Sequence, residues 1–147
     1  MRCAGAPEDN RPVSCLGIRW PARHAGPVND LEAQTLGLPG PIAADLLEAA
    51  TCASFGAYRA AGLLARRAVE QVAVLRRVPL EKRTLDQKLG WLLEAGHLPR
   101  ASLAHARTVR DVGTAAAHGG EALTKAEADA VVASALVVAR AVLLREN

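Results

Sequence analysis

From residue 41 onwards, the apolar residues of this chain recur at helical spacing, and no segment alternates between apolar and polar residues as a strand would. The clearest stretch begins at Tyr58, where an apolar stripe at alternating spacings of three and four lies opposite a side rich in Arg. Pro79 ends this stretch, and the connections between stretches are short. The sequence therefore predicts an all-α fold, an up-and-down bundle of about five helices around one core.

The ends of the predicted helices carry recognisable signals. Thr84 and Thr124 suit the N-cap position, and the spacing of Thr124 to Glu127 matches a capping box. Gly96 and the Gly119-Gly120 pair suit the positions that follow a helix. We predict helices over residues 41–55, 58–78, 84–95, 99–118 and 124–145.

Residues 1–40 differ in kind from the rest. Prolines and glycines recur through them and interrupt every helix, except for a helical turn or two over residues 29–36. We interpret residues 1–40 as an extended or partly disordered N-terminal arm, which lies along the bundle or reaches a partner. Residues 41–147 then form the helical-bundle domain.

Composition and charge exclude several classes of protein. The net charge is +3, and nearly all of the positively charged residues are Arg. This charge is mild for a committed nucleic-acid binder. The three cysteines, Cys3, Cys15 and Cys52, have unrelated spacings that suggest neither a disulfide framework nor a zinc site. We find no signal-peptide layout, no membrane-spanning run and no cofactor motif, and so expect a cytoplasmic protein without cofactor or metal.

The last predicted helix is apolar nearly all round, with Val, Ala and Leu covering much more than one face. Such a helix is buried on more than one side. It either occupies a central position in the bundle or is covered by a second subunit. On this pattern we predict a homodimer.

The fourth predicted helix carries a polar stripe of five residues, Arg107, Arg110, Asp111, Thr114 and His118. At the helical repeat they share roughly a quarter to a third of the circumference. Two guanidinium groups and an imidazole could bind one phosphate, with His118 acting as acid or base near neutral pH. Alternatively the stripe is the solvated face of the helix, with an i,i+4 pair of Arg107 and Asp111.

Four segments in one order resemble a known family. They are Glu48-Ala49, AAGLLARRAVE at 60–70, TLDQKL at 84–89 and VRDVGTAAAH at 109–118. Together they resemble the bacterial domain-of-unknown-function family 4145, a branch of the HEPN superfamily of helical, nucleic-acid-associated domains. The resemblance covers residues 38–144 and does not extend to the N-terminal arm.

The resemblance implies a helical bundle that often dimerises. Catalytic HEPN members place an Arg, commonly followed by Asn, shortly before a His, and two such motifs meet at a dimer cleft to cleave RNA without a metal. Here His118 matches the histidine, Gly113 stands at the commonest arginine position, and Thr114 stands at the asparagine position. Arg110 lies about one helical turn earlier than the motif arginine. In such chemistry His moves the 2′-hydroxyl proton, while Arg stabilises phosphate charge.

Three functions follow, and we favour the first. It is a non-catalytic HEPN-like module for interaction and dimerisation, nucleic-acid-associated and, as the resemblance implies, joined to protein partners in a restriction-type bacterial defence system. The second is a metal-independent endoribonuclease that uses His118 with Arg110 or Arg107. The third is a simple RNA- or DNA-binding protein whose contacts come from Arg107, Arg110, Thr114 and His118.

Arg67 and Glu70 lie about one turn apart on the second predicted helix. The resemblance places similar residues in the interior, near the histidine helix. We interpret them as a buried ion pair that organises the site. The alternative is an exposed i,i+3 pair, which would contribute only a few tenths of a kcal/mol.

Overall fold

A computed structural model describes residues 27–145 of the chain, and within that range every regular element is helical. The α-helices are α1 (Pro27–Thr35), α2 (Gly40–Ser54), α3 (Tyr58–Leu75), α4 (Leu85–Glu94), α5 (Leu103–His118) and α6 (Lys125–Leu143), with a 3₁₀ turn at Arg100–Ser102 before α5. The prediction of an all-α bundle is confirmed. No helix in this range has the length and apolar character needed to cross a membrane.

The five predicted helices correspond to α2 through α6, and their end signals act as expected. Thr84 forms a capping box with Gln87, and Thr124 forms one with Glu127. The backbone hydrogen bond from Thr124 lowers the pKa of the Glu127 carboxyl from its ordinary value. Gly96 and Gly119 adopt the left-handed conformation after α4 and α5. These helix ends are therefore determined by local sequence.

Helix α1 lies within the segment that the sequence pattern assigns to an extended arm. Leu31 and Leu38 are buried in the common core, and Arg140 of α6 donates a hydrogen bond to the Gln34 carbonyl. Leu31 lies on α1 and Leu38 lies three residues past its end, and their burial, with the contacts of α1 to α2, holds the segment against the bundle. The described part of the arm thus packs with the bundle. The prediction for residues 1–26 falls outside the described residues.

Helix α6 occupies a central position, in contact with α2, α3 and α5. Its buried residues cover most of its circumference: Ala128, Val131, Val132, Ser134, Ala135, Leu136, Val138, Ala139 and Val142. Other helices of the same chain cover these side chains, so the apolar character of α6 does not require a second subunit. The homodimer stays a prediction.

Two glycines let α3 and α5 approach closely. A Cβ added at Gly62 would lie 2.9 Å from the Ala116 Cβ, and one added at Gly113 would lie 2.9 Å from the Arg66 Cβ. Both separations are too short for real side-chain atoms, so the interface depends on glycine at each position. As the contact advances one turn along α3, it moves back along α5, and the two helices therefore run antiparallel.

Arginine side chains bind backbone carbonyls at the C-terminal ends of four helices. Each of these carbonyls lies in the last turn of a helix or just past it, where no intrahelical donor is available and the helix dipole is negative. The contacts are Arg140 to Gln34 of α1, Arg145 to Gly96 after α4 (2.8 Å), Arg59 to Ala116 of α5 (2.8 Å) and Arg76 to Val142 of α6. Much of the positive charge therefore stabilises the fold.

The contact of Arg76 is the easiest of these to test. Its Nε donates to the Val142 carbonyl at 3.1 Å, and its Nη2 donates to the same oxygen. Arg76→Met keeps an apolar stem but removes both donors, so we expect the free energy of unfolding in urea to fall by about 1.5–3 kcal/mol. Arg107→Met is the control, because Arg107 is exposed and forms no side-chain hydrogen bond within residues 27–145. Equal losses in both variants would contradict a structural role for the Arg76 contact.

The end of α3 departs from the pattern of the other helices. The Arg77 N–H donates to the Val74 carbonyl (2.9 Å) and the Val78 N–H donates to the Ala73 carbonyl (3.1 Å), which is a Schellman motif. Its left-handed residue is Arg77, with φ of 56°. After α1, α2, α4 and α5 the corresponding left-handed residue is glycine: Gly37, Gly56, Gly96 and Gly119. A side chain in this conformation costs about 1–2 kcal/mol.

We therefore expect Arg77→Gly to stabilise the protein. The gain in the free energy of unfolding should be about 0.5–1 kcal/mol, since glycine relieves the strain but gains more entropy in the unfolded chain. Thermal and urea denaturation measure it. Arg77→Ala, which removes the guanidinium and keeps the strained Cβ, should show no such gain. A lower melting temperature for Arg77→Gly would contradict the assignment of strain.

Candidate functional site

A groove of about 460 Å³ lies between α3, α4 and α5. Four residues of the predicted stripe line it from α5: Arg110, Asp111, Thr114 and His118. The other walls come from Arg66 of α3 and from Thr84, Leu85 and Asp86 at the start of α4. Arg107 lies outside this lining and is exposed. The helical spacing therefore brings four of the five residues into one site.

Arg110 is held by two carboxylates. Its Nε lies 2.7 Å from Asp111 Oδ1, and its Nη1 lies 2.8 Å from Asp86 Oδ1 at the start of α4. The hydrogen bonds to Asp111 and then Asp86 raise the pKa of Arg110 above its ordinary value. These bonds use two of the five N–H donors of the guanidinium, and a phosphate bound to the remaining donors would lie beside two carboxylates that repel it. Asp111 is thus paired with Arg110, and the predicted pair of Arg107 with Asp111 does not form.

Arg66 is the second guanidinium of the groove, and its partner is Glu70, at 3.1 Å between Nε and Oε1. This pairing corrects the predicted pair of Arg67 with Glu70. Residues three and four apart can both meet on a helix, and here Glu70 pairs with the arginine four residues before it, Arg66. Arg67 is rotated by about 100° from Arg66. Its Nε lies 3.5 Å from Asp45 Oδ2, and its side chain is 67% exposed. The predicted buried pair is therefore wrong.

Asp45 is the buried charged residue that sequence reasoning missed. It lies on α2 at 6% exposure and accepts a hydrogen bond from Gln71 Nε2 of α3 at 2.6 Å. Its sequence signal is an acid placed among positions with core spacing, namely Ile42, Leu46 and Ala49. Such an acid needs a partner on a neighbouring helix. The contact joins α2 to α3 and does not belong to the groove.

Gly113 occupies the position that the resemblance assigns to a motif arginine, and it is buried against α3. An added Cβ would collide with the Arg66 side chain, so this helix spacing excludes an arginine there. His118 is the last residue of α5 and is exposed. Within residues 27–145 its ring makes no hydrogen bond. The groove thus has an accessible imidazole but no guanidinium free of a carboxylate.

Other chemistries find no support in the described part of the chain. No group of three or more His, Cys, Asp or Glu side chains there could hold a metal ion. Cys52 is half-buried against the core, and burial raises the pKa of its thiol, which disfavours the reactive thiolate. The groove is best described as a polar site whose arginine charges are compensated.

The fold and the groove define a small all-helical bundle with one charge-compensated site. Comparison with protein-family models matches residues 47–144, two thirds of the chain, to a domain of unknown function (DUF4145), and the chain belongs to this family. No curated protein and no solved structure matches the chain. The family match bears out the first part of the resemblance. The relation to the HEPN superfamily stays a prediction.

The two acidic groups on α2 and α3 should respond differently to the same change. Glu70→Gln should lower the free energy of unfolding by less than about 1 kcal/mol, because the Arg66–Glu70 pair is one-quarter to one-third exposed. Asp45→Asn should cost about 1–3 kcal/mol, because an amide replaces a buried carboxylate that accepts a hydrogen bond from Gln71 and forms an ion pair with Arg67. Urea denaturation of the two variants measures both. A larger loss for Glu70→Gln would contradict the corrected pairing.

Proposed function

We propose that this domain is a non-catalytic interaction module of the HEPN type. The observation that carries the proposal is the state of the groove beside His118, where Arg110 is paired with Asp86 and Asp111, and Arg66 is paired with Glu70. Metal-independent cleavage of RNA needs a donor that stabilises phosphate charge beside the imidazole. Both guanidinium groups that line this groove already have carboxylate partners.

The charge of the groove also favours a protein partner over a nucleic-acid backbone. Asp86 and Asp111 face the same space as Arg66 and Arg110, so the lining carries equal numbers of cationic and anionic side chains. Phosphate backbones bind to surfaces with excess positive charge, which this lining lacks. Dimerisation and membership of a restriction-type defence system belong to the proposal through the resemblance.

A second candidate is a metal-independent endoribonuclease, and one observation favours it. Arg66 lies against Gly113 and lines the groove with His118, so its guanidinium could take the role that the motif assigns to position 113. In that case Arg66 would have to leave Glu70 when substrate binds. Arg107 is outside the groove lining, which disfavours the version that uses it.

Cleavage of mixed-sequence RNA in excess chelator decides between these candidates. We expect no cleavage by the wild type, by His118→Ala or by Arg66→Ala, with folding of each verified by circular dichroism. Cleavage by the wild type that is lost in His118→Ala would overturn the proposal. Purifying the variants in parallel controls for contaminating nuclease. Light scattering on the same samples reports dimerisation, and a monomer at micromolar concentration would remove that part of the proposal.

A further inference from the structure

The last residues of α3 and the chain just after it expose three large apolar side chains. Val74 is 72% exposed, Leu75 is 51% exposed and Leu80 is 95% exposed, all within a short stretch of sequence. Leu80 lies in a turn in which the Lys82 N–H donates to the Pro79 carbonyl at 3.0 Å. Clustered exposed apolar side chains with a polar rim are typical of interaction sites.

This stretch is held in place by the fold. The Schellman motif at the end of α3 fixes the chain direction at Arg77, and Val78 packs against the core. The Pro79–Lys82 turn then presents Leu80 outward. A preformed surface loses little conformational entropy when it binds a partner.

Three cationic residues lie close to the apolar ones in the sequence: Arg77, Lys82 and Arg83. None of them forms a side-chain hydrogen bond or an ion pair with another residue of the described range. Most arginines in that range do have partners, which are carbonyls for Arg59, Arg76, Arg140 and Arg145 and carboxylates for Arg66, Arg67 and Arg110. Glu81 is the one carboxylate of the stretch 74–83, which also holds four cationic residues, so the stretch has a net positive charge.

Arginine at position 77 is not the residue that would best stabilise the end of α3. Its left-handed backbone suits glycine, and glycine follows α1, α2, α4 and α5 in this conformation. An arginine there strains the backbone, and its guanidinium forms no hydrogen bond or ion pair within the described range. Strain of this kind tends to persist where it serves a function. The strain at Arg77 is therefore explained if its side chain binds another molecule.

We propose that the α3-end patch, formed by Val74, Leu75, Arg77, Leu80, Lys82 and Arg83, binds an acidic peptide segment with apolar side chains, carried by a protein partner. Leucine-like side chains of the segment pack on Val74, Leu75 and Leu80, and its carboxylates pair with the three cations. This inference rests on the proposed role as an interaction module and adds the chemistry of the partner.

The composition of the patch favours a peptide over the other polyanions. It holds no aromatic side chain on which a nucleic-acid base could stack, and sugar-phosphate would leave its three apolar side chains unmatched. Basic segments that recruit anionic lipids usually carry about four to eight Lys or Arg residues, more than the three here. An acidic, leucine-bearing peptide matches both the apolar and the cationic side chains.

The test uses a labelled amphipathic peptide of about 16 residues, with Leu at i, i+3, i+4 and i+7 and Glu elsewhere. Fluorescence anisotropy with the full chain should show binding that weakens with salt. Affinity should fall about tenfold in Arg77→Gly and in Leu80→Ser, which remove one charge and one apolar contact respectively. Arg77→Gly is expected to fold more stably than the wild type, so its loss of binding cannot come from unfolding. Arg107→Ala, remote from the patch in sequence, is the matched charge control.

Two matched peptides separate the parts of the interaction. Replacing Glu by Lys should abolish binding, and replacing Leu by Ser should weaken it about tenfold or more. Absence of binding by the acidic peptide, or equal affinity in Arg77→Gly and the wild type, would overturn the proposal. Tighter binding of RNA or of anionic phosphatidylserine vesicles, lost in the same variants, would overturn it by assigning the patch to another partner. The RNA cleavage assay is independent, so the patch can fail while the non-catalytic role stands.

Discussion

The contact between an arginine side chain and the C-terminal carbonyls of another helix is the interaction on which this bundle depends. The core is aliphatic, and its largest fully buried side chains are Ile, Leu and Val. Such a core can be filled in several registers, because these side chains resemble one another in size. Arg59 and Arg76 lie near opposite ends of α3 and bind the last turns of α5 and α6. They therefore fix which helix ends lie together, in addition to satisfying carbonyls that burial would leave without donors.

This use of arginine changes how the charge of the chain is interpreted. A pI near 9.1 and an Arg-rich positive side are typical of proteins that bind polyanions. Here four guanidinium groups bind helix-end carbonyls, and three more pair with carboxylates. The sequence alone cannot distinguish arginines that bind carbonyls from arginines that pair with carboxylates, because the partner depends on which residues lie nearby in the fold. Fewer guanidinium groups are therefore available to bind a polyanion than composition suggests, although those bound to carbonyls keep their charge.

Local sequence patterns predicted the helices and their ends well, but they could not predict which side chains of different helices meet. Thr84, Thr124 and Gly119 act within one turn of the backbone, so their roles follow from neighbouring residues. The pairing of Glu70 with Arg66 could not be predicted, because Arg66 and Arg67 are both about one turn from Glu70, and Arg67 instead meets Asp45 of α2. The site shows the same division. Helical spacing brought Arg110, Asp111, Thr114 and His118 to one face, but only the approach of α3 and α4 added Arg66 and Asp86.

Arginines that already pair with carboxylates also bind an anionic partner less strongly than arginines without such a pair. A ligand carboxylate or phosphate bound to Arg110 would lie beside Asp86 and Asp111, and their repulsion would oppose its binding. Arg77 has no carboxylate partner within the described residues, and the Schellman motif fixes the position of its backbone. An incoming carboxylate meets a cation that needs only partial desolvation. Most arginines of the described range bind carbonyls or carboxylates of their own chain, so the α3-end patch is a surface where a charged partner meets unpaired cations beside exposed apolar side chains.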